Sequence, residues 1–333
     1  MNSWSGKALP GKIFLKCGWM ALIYSWDLVG HDKVLGSIET DIRDGNLAHA
    51  YLFAGPDHIG KFSAAKVMAH ILQCESDFCR ECAVCKEIDK GYHSDTLEIP
   101  NDGESIKIEK IRELIEKVNI TKQGKYKILL IQNIERMTVE SSNALLKTLE
   151  DPPENVIFIL TTNRVKEVLA TILSRVRLFK FRRLANDDLE TFVRRYYPLT
   201  DENMMETVCA FAMGRPGKAL SLLQDADLYE SYRKMYIDIE MFLKKPDRAV
   251  QFAYVGDLVT SAKEAKDDQL IREFLDIFQL VLRKEMMMNM DGESGILSLE
   301  KSVKLLEKAH EAQELLKRNI NTRLLLENMM LAI

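Results

Sequence analysis

Short apolar runs alternate with helically spaced apolar positions over the first half of the chain. Continuous apolar runs bounded by turn residues are typical of buried strands, whereas apolar residues three or four positions apart indicate amphipathic helices. Strands and helices in alternation predict a parallel sheet covered by helices on both faces. The predicted strands are residues 50–54, 96–99, 128–131, 156–161 and 177–181, and the predicted helices are 28–46, 61–74, 108–118, 141–150 and 165–173.

The pattern is purely helical after residue 183. Two short helices are predicted at 187–195 and 206–213, and the Gly-Pro-rich segment GRPGKA at 214–219 separates them from the rest. Longer helical patterns follow at 229–244, 248–266, 269–288 and 299–330. The expected domains are an α/β domain over 20–183, a small helical domain over 184–228 and an all-α C-terminal domain over 229–333.

Residues 1–19 carry no interpretable pattern, and structure is expected to begin near Met20. Their apolar run at 13–15 is too short for the core of a signal peptide. We therefore expect a disordered extension, or an upstream start codon chosen in error.

The overall charge argues against a protein that binds nucleic acid over its whole surface. The 333 residues carry a formal net charge of -4, with a pI near 6.0. Any nucleic acid would have to meet a local basic patch or other subunits. No apolar run approaches the roughly 18 residues needed to span a bilayer. We expect a cytoplasmic protein, in a compartment that keeps thiols reduced.

Four of the six cysteines lie together in one short segment: Cys74, Cys79, Cys82 and Cys85. Two of the three spacings are C-x2-C, in which successive thiolates can chelate the same ion. Four sulfur ligands complete a tetrahedral shell and leave no position for water, so the predicted metal is a structural zinc ion.

Residues 55–62, GPDHIGKF, fit a phosphate-binding loop except at the last position. In such loops the backbone N–H groups cradle phosphates, a lysine adds positive charge, and a Ser or Thr hydroxyl holds magnesium. Gly55, Gly60 and Lys61 match this pattern, but Phe62 has no hydroxyl. We expect ATP binding to be weak or absent.

The second half of an ATPase site should consist of acidic residues at the end of another strand. The strand 128–131 instead ends in Gln132 and Asn133, whose amides are uncharged and cannot act as a general base. Glu135 could replace them, but a shift of two residues past the strand end is expected to change where its side chain points. Hydrolysis of nucleotide by this chain is therefore not expected.

Several motifs resemble those of the bacterial clamp-loader ATPases. Residues 143–153, NALLKTLEDPP, resemble the NALLKTLEEPP signature of that family, and 174–176, SRV, resemble its Ser-Arg-Cys motif. Residues 214–217, GRPG, are similar to the motif of its lid domain, and the segments 49–53 and 319–330 fit as well. The resemblance covers nearly the whole chain from about residue 28.

The resemblance implies an AAA+ P-loop domain that carries a zinc module, followed by a lid domain (184–228) and an oligomerising collar domain (229–333). Arg175 maps onto an arginine finger that acts on the ATP site of a neighbouring subunit. Thr162 maps onto a polar sensor near the phosphate and Arg215 onto a nucleotide sensor in the lid. Simpler alternatives are a surface ion pair for Arg175, a strand-end hydrogen bond for Thr162, and a helix cap or salt bridge for Arg215.

With a damaged ATP site and an intact Ser-Arg motif, the chain resembles a subunit of the DNA polymerase III assembly that does not hydrolyse ATP. Such a subunit acts as a stator. The implied partners are the gamma/tau and delta subunits of the clamp loader. The sliding clamp and primer-template DNA would be reached through the assembled complex. One alternative is an active ATPase of gamma/tau type that tolerates Phe62 and Gln132, and another is an unrelated zinc-dependent DNA-binding protein.

Overall fold

The computed structural model of the chain describes residues 22–76, 78–118, 124–265, 268–293, 295–316 and 320–333. The extension expected at residues 1–19 lies outside the described residues. The chain divides into two compact units, Met1–Asp188 and Leu189–Ile333. The predicted division of the chain into three domains stays a prediction.

The first unit is built on a parallel sheet, as the alternating pattern predicts. Its strands are β1 (Ala50–Ala54), β2 (Thr96–Ile99), β3 (Lys127–Ile131), β4 (Val156–Thr162) and β5 (Arg177–Lys180). All neighbouring strands run parallel, in the order β2-β3-β4-β1-β5. Each strand agrees with its predicted range to within one residue. The fold class predicted for this part of the chain is confirmed.

Helices connect these strands and cover both faces of the sheet. They are α1 (Asp32–Arg43), α2 (Lys61–Gln73), α3 (Ala83–Lys90), α4 (Ile108–Val118), α5 (Val139–Glu150) and α6 (Ala170–Leu173). Tyr51 and Phe53 of β1 share one core cluster with α1 and α2. Leu52 lies in a second cluster, with α4 and α5. The central strands are thus buried on both sides, which explains why their sequences are continuously apolar.

Two helix predictions in this unit need correction. The single helix expected at 165–173 is wrong: a 3-10 turn, Val165–Glu167, is followed by the four-residue α6. Val168 and Leu169 take extended backbone between them, so that both side chains reach the core cluster behind α5. The helix α3 was not predicted. Its N-terminus lies inside the cysteine segment, where the Cys82 sulfur accepts a hydrogen bond from the Cys85 N–H.

The second unit is helical throughout the part of it that the structure describes. Its helices are α7 (Asn186–Tyr196, which begins just before the boundary), α8 (Glu202–Ala212), α9 (Pro216–Gln224), α10 (Ala226–Lys244), α11 (Arg248–Ala265), α12 (Gln269–Met290), α13 (Leu299–Leu315) and α14 (Thr322–Met330). No helix among the described residues is long and apolar enough to cross a membrane.

Two further predictions differ from the helices of the second unit. The segment 214–219 was expected to be a break, but most of it starts α9, with Pro216 in the first turn, where its missing N–H costs nothing. The single helix expected at 299–330 is wrong, because α13 ends at Leu315 and α14 starts at Thr322. Asn321 marks this second start, since its Oδ1 accepts hydrogen bonds from the N–H groups of Arg323 and Leu324.

Candidate functional site

The loop between β1 and α2 has the backbone of a phosphate-binding loop. Gly60 has a φ of +93°, which a residue with a side chain rarely adopts, and it caps the N-terminus of α2. A Cβ on Gly55 would lie 2.3 Å from the carbonyl oxygen of Phe181. Both glycines are therefore required by the local geometry, and the predicted order of strand, loop and helix is confirmed.

Lys61 is bound by its own chain. Its ammonium donates hydrogen bonds to the carbonyl oxygen of Pro56 at 2.5 Å and to Oδ1 of Asn163 at 2.7 Å. The residue is only 6% exposed, and this burial lowers the pKa of its ammonium to about 8, although the carboxylates of Asp57 and Glu135 partly offset the effect. The cation that would meet a phosphate in an active loop is thus already satisfied.

Phe62 follows the lysine and packs, partly buried, against the core cluster beside α1 and α2. Its ring offers no oxygen to a magnesium ion. The residue that replaces the magnesium-binding hydroxyl therefore contributes to the hydrophobic core instead.

Gln132 and Asn133, which follow β3, form hydrogen bonds within the protein. Oε1 of Gln132 accepts a hydrogen bond from the Asn101 N–H at 3.0 Å. Asn133 has a φ of +57°, and its N–H donates to Oγ1 of Thr161 at 3.0 Å. Neither position carries a charge, as expected from the sequence.

Glu135 reaches the site, contrary to the expectation that its position would point it elsewhere. It lies in a 3-10 turn, Ile134–Arg136, which folds back toward the end of β4. Its Oε1 accepts a hydrogen bond from the Asn163 N–H at 3.0 Å. Its Oε2 is buried and has no hydrogen-bond partner among the described residues. The only carboxylate predicted as a possible replacement thus lies close enough to Lys61 to affect its pKa.

Two polar residues, Thr162 and Asn163, lie at the end of β4. Thr162 is fully buried, and its Oγ1 accepts a hydrogen bond from the Arg164 N–H at 3.0 Å, which is a strand-end role. Asn163, which sequence reasoning missed, is the residue that contacts Lys61. A usable signal was present, since an amide directly after a buried strand lies at the same sheet edge as the loop after β1.

An open cleft of about 420 Å³ lies at the carboxyl ends of β4, β1 and β5. It is lined in part by Gly55, Pro56 and Asn163 on one side and by Lys180 and Arg182 on the other. Ligands of parallel α/β sheets bind at this edge. The cleft could admit an anion, although the lysine of the loop is already committed to protein partners.

Arg175 follows α6 and is one-third exposed. Its Nη1 donates hydrogen bonds to the carbonyl oxygen of Thr171 at 2.9 Å and to Oγ of Ser174 at 3.1 Å. Its Nη2 lies 2.8 Å from Oε1 of Glu150, the last residue of α5. Within this chain Arg175 is therefore ion-paired at the surface, and its role toward a second subunit stays a prediction.

Arg215 lies in the second unit and is nine-tenths buried. Its Nε donates to the carbonyl oxygen of Ala212 at 3.0 Å, and its Nη1 pairs with Oδ2 of Asp276 in α12 at 2.7 Å. Oδ1 of Asp276 accepts a further hydrogen bond from Gln313 at 3.0 Å. The predicted nucleotide sensor is thus held in a buried ion pair within its own unit, the arrangement of its simpler alternative.

A second buried ion pair joins the first turn of α9 to α12, three residues after Arg215 and three residues before Asp276. Nζ of Lys218 in α9 donates to Oε1 of Glu273 in α12 at 2.7 Å, and it lies 4.3 Å from the ring centroid of Tyr232. Burial alone would raise the pKa of Glu273, but the ion pair with Lys218 and a hydrogen bond from Gln269 outweigh it and lower the pKa. Two parallel ion pairs therefore join α9 to α12. No motif or periodicity in the sequence predicts them.

The four cysteines come together as their spacing predicts. The sulfur atoms of Cys74, Cys79, Cys82 and Cys85 all lie within 4.8 Å of one another. Cys74 Sγ is 3.6 Å from Cys79 Sγ and 4.0 Å from Cys82 Sγ. Four thiolates at the usual zinc–sulfur distance of about 2.3 Å would be separated by about 3.8 Å. The cluster could hold one zinc ion.

Backbone N–H groups support this cluster. The N–H groups of Cys79, Cys82 and Cys85 donate to the sulfurs of Cys74, Cys79 and Cys82, each at 3.4 Å. Hydrogen bonds from backbone groups lower the pKa of Cys79 to about 6, which favours its thiolate. Burial raises the pKa of Cys85. The backbone hydrogen bonds therefore favour a thiolate at Cys79 in particular.

Comparison with known proteins finds similarity to subunits of DNA polymerase III. Residues 30–185 match the sequence model of a family described as DNA polymerase III, delta subunit. The chain is 35% identical to DNA polymerase III subunit gamma of Buchnera aphidicola subsp. Acyrthosiphon pisum, over 61% of this chain and 58% of that protein. It is 32% identical to subunit tau of Bacillus subtilis, over 76% of this chain and 46% of that protein. The chain thus spans about half the length of these relatives.

A solved structure shows the same fold. The gamma subunit-related protein of Thermotoga maritima superposes with a TM-score of 0.52 and 22% identity, over 88% of this chain and 97% of that one. At this identity the likeness shows the fold alone.

Proposed function

We propose, from the homology of this chain to the gamma and tau clamp-loader subunits of DNA polymerase III, that it is the delta-prime subunit of a clamp loader. In this role it is a stator that does not hydrolyse ATP. It supplies Arg175 to the ATP site of an adjacent gamma or tau subunit while the sliding clamp is loaded. Its further partners are the delta subunit and, through the assembled complex, the clamp and primer-template DNA.

The state of Lys61 is the observation that carries this proposal. Nucleotide hydrolysis needs a free cation on the phosphates, a hydroxyl on magnesium, and a carboxylate that orients the metal and water. Here the ammonium of Lys61 is already bound to Pro56 and Asn163, Phe62 replaces the hydroxyl, and Gln132 replaces the acidic residue. A nucleotide would have to break two short hydrogen bonds before it gained its first charge contact.

Glu135 supports a second candidate function, an active ATPase of gamma/tau type. Its carboxylate lies at the correct edge of the sheet, and its Oε2 is not engaged by any described residue. We favour the stator because Glu135 faces a buried ammonium whose charge it offsets. A carboxylate used in this way is not free to bind magnesium.

Arg175 has the chemistry that an arginine finger requires. A guanidinium brought from a neighbour stabilises charge on the transferring phosphoryl group, and this contribution is large in related reactions. The side chain is one-third exposed and directly follows Ser174, as in the family motif. Its only charged partner among the described residues is the surface residue Glu150. Such an ion pair costs little to rearrange.

The cysteine cluster would hold zinc for a structural purpose. Its four sulfurs complete the coordination shell, so the ion would stabilise the segment between α2 and α3 and offer no position to a substrate. The residues that would hold it are Cys74, Cys79, Cys82 and Cys85. Zinc here plays no part in the proposed reaction.

Two measurements test the proposal. The purified chain should release no phosphate from ATP with magnesium above the level of its Lys61→Ala variant. Turnover that Lys61→Ala or Glu135→Gln abolishes would instead establish the active ATPase. In a complex reconstituted with gamma and delta subunits, Arg175→Ala should leave ring assembly intact and lower DNA-stimulated ATP hydrolysis several-fold. Arg43→Ala, which removes another surface arginine paired with one carboxylate, is the matched control.

A further inference from the structure

Arg175 is held by three acceptors that belong to two helices. The carbonyl oxygen of Thr171 and the hydroxyl of Ser174, at the end of α6, take both hydrogen bonds donated by Nη1. Glu150, at the end of α5, places a carboxylate oxygen 2.8 Å from Nη2. A long, rotamer-rich side chain is thus fixed from two sides although it lies at the surface.

The contacts leave a specific part of the guanidinium available. Arginine has five N–H groups, and Nη1 supplies only two of them. Nη2 is paired with the carboxylate of Glu150, and no described residue accepts a hydrogen bond from Nε. Nε and Nη2 form one edge of the guanidinium, and such an edge can bind oxygens of a phosphate. One carboxylate oxygen can take only one of the two N–H groups of Nη2, so the fixed side chain keeps the N–H of Nε and one N–H of Nη2 for a phosphate.

We propose that Glu150 is the positioning residue for Arg175. This inference rests on the proposed function. The carboxylate holds the guanidinium at the end of α6, so that its remaining N–H groups are already oriented when a neighbouring ATP site approaches. Groups that are fixed before the reaction need not lose conformational freedom at the transition state, and this preorganisation speeds the reaction.

Glu150 also lowers the positive field of Arg175, but the structure indicates that this effect is the smaller one. The side chains of Arg175 and Glu150 are 33% and 48% exposed, so solvent screens their charges. The contact with Glu150 also restricts the rotamers of Arg175, and water would not restrict them in its place. Removal of the carboxylate should therefore slow the reaction.

The test is ATP hydrolysis by the complex reconstituted with gamma and delta subunits, the clamp and primed DNA. At saturating ATP, Glu150→Ala should lower kcat by about threefold to tenfold, the range expected when one immobilised side chain becomes free. The KM for ATP should stay unchanged, because Arg175 acts on the transition state. Glu150→Gln keeps an oxygen at the same position, so its rate should fall between those of Glu150→Ala and the wild type.

A double-mutant cycle separates positioning from a merely structural role. In the Arg175→Ala background, Glu150→Ala should cause no further loss, because the residue that it positions is gone. Glu154→Ala, an exposed carboxylate four residues along with no ion pair among the described residues, is the matched control and should have no effect.

If Arg175→Ala slows the reaction as expected, three results for Glu150→Ala would overturn the inference. These are a Glu150→Ala complex that is as fast as the wild type or faster, an equal loss in both backgrounds, and a failure of Glu150→Ala to assemble. A normal rate for Arg175→Ala itself would instead defeat the proposed function.

Discussion

The two ion pairs between α9 and α12 allow a quantitative prediction. Lys218 is 4% exposed and Glu273 14%, so their charges face little water. We consider Glu273→Gln, which preserves the shape of the side chain and removes its charge. The ammonium of Lys218 then remains buried without a counterion.

Loss of one partner from a buried ion pair generally costs about 3–5 kcal/mol, because the remaining charge is uncompensated. The ring of Tyr232 still faces Lys218 and retains a cation–π contribution of roughly 0.5–2 kcal/mol. We therefore expect a loss near the lower end, about 3 kcal/mol. For a unit of this size the loss corresponds to a fall in Tm of roughly 6–12 °C.

The sign of the pH dependence also follows from Glu273. Its pKa is lower in the folded chain than in the unfolded chain. The stability that it contributes is therefore present above the unfolded pKa and is lost as the pH falls through the lower, folded pKa. The Glu273→Gln variant should not show this loss in acid.

The assay is hydrogen exchange of peptides from α9 and α12 in the full chain, with increasing urea. This readout is specific to the second unit, whereas melting of a chain with two units need not follow two-state behaviour. Glu230→Gln, from the exposed ion pair with Arg233, is the control and should change stability by less than about 1 kcal/mol.

A double variant tests whether the loss of stability comes from the unpaired charge of Lys218. Lys218→Met combined with Glu273→Gln leaves no charge at these two positions, so it should be more stable than Glu273→Gln alone. A Glu273→Gln protein within 1 kcal/mol of wild type, on the order of the effect of a surface pair, would refute it. So would a double variant that loses the sum of both single effects.

Further predictions concern the first unit. The ammonium of Lys61 should titrate with a pKa of about 8, followed by NMR of its side-chain carbon, and Glu135→Gln should lower this pKa because it removes an opposing carboxylate. A pKa near that of exposed lysines would show that Lys61 is not buried as described. The chain purified in a reducing buffer should contain one zinc ion, measured by elemental analysis, and Cys82→Ser should lose most of it while Cys209→Ser, a buried cysteine outside the cluster, should not. A chelator should lower the Tm of the wild type and leave that of Cys82→Ser unchanged; equal zinc in both variants would contradict the assignment.

The parallel sheet and most helices could be predicted from the sequence, because burial on both faces leaves continuous apolar runs such as 128–131. The glycines of the loop were also predictable, since a positive φ at Gly60 and the close approach of Gly55 to Phe181 exclude most side chains. The four cysteines were recognisable because local spacing alone brings their sulfurs together. In each case the physical cause acts over a short stretch of chain.

The partners of the buried charged residues could not be predicted, because these contacts join residues that are far apart in the sequence. The partner of Lys61 is 102 positions away at Asn163, and the partner of Arg215 is 61 positions away at Asp276. The position of Asn163 after a buried strand placed it at the sheet edge of the loop, but no periodicity or motif identified it or Asp276 as the partner of a particular cation. The orientation of Glu135 was mispredicted for a related reason, because a 3-10 turn after β3 changes the direction in which its side chain points. Buried charge partners are set by tertiary packing, which single-chain patterns do not reveal.

The packing of the Phe62 ring against the hydrophobic core affects what a substitution at this position could achieve. Replacement of Phe62 by threonine would remove apolar contacts beside α1 and α2 and still leave Lys61 bound to Asn163. Residues 132 and 133 would remain amides. Under the proposed function, a single substitution that supplied the magnesium-binding hydroxyl would therefore cost packing contacts without completing an ATPase site.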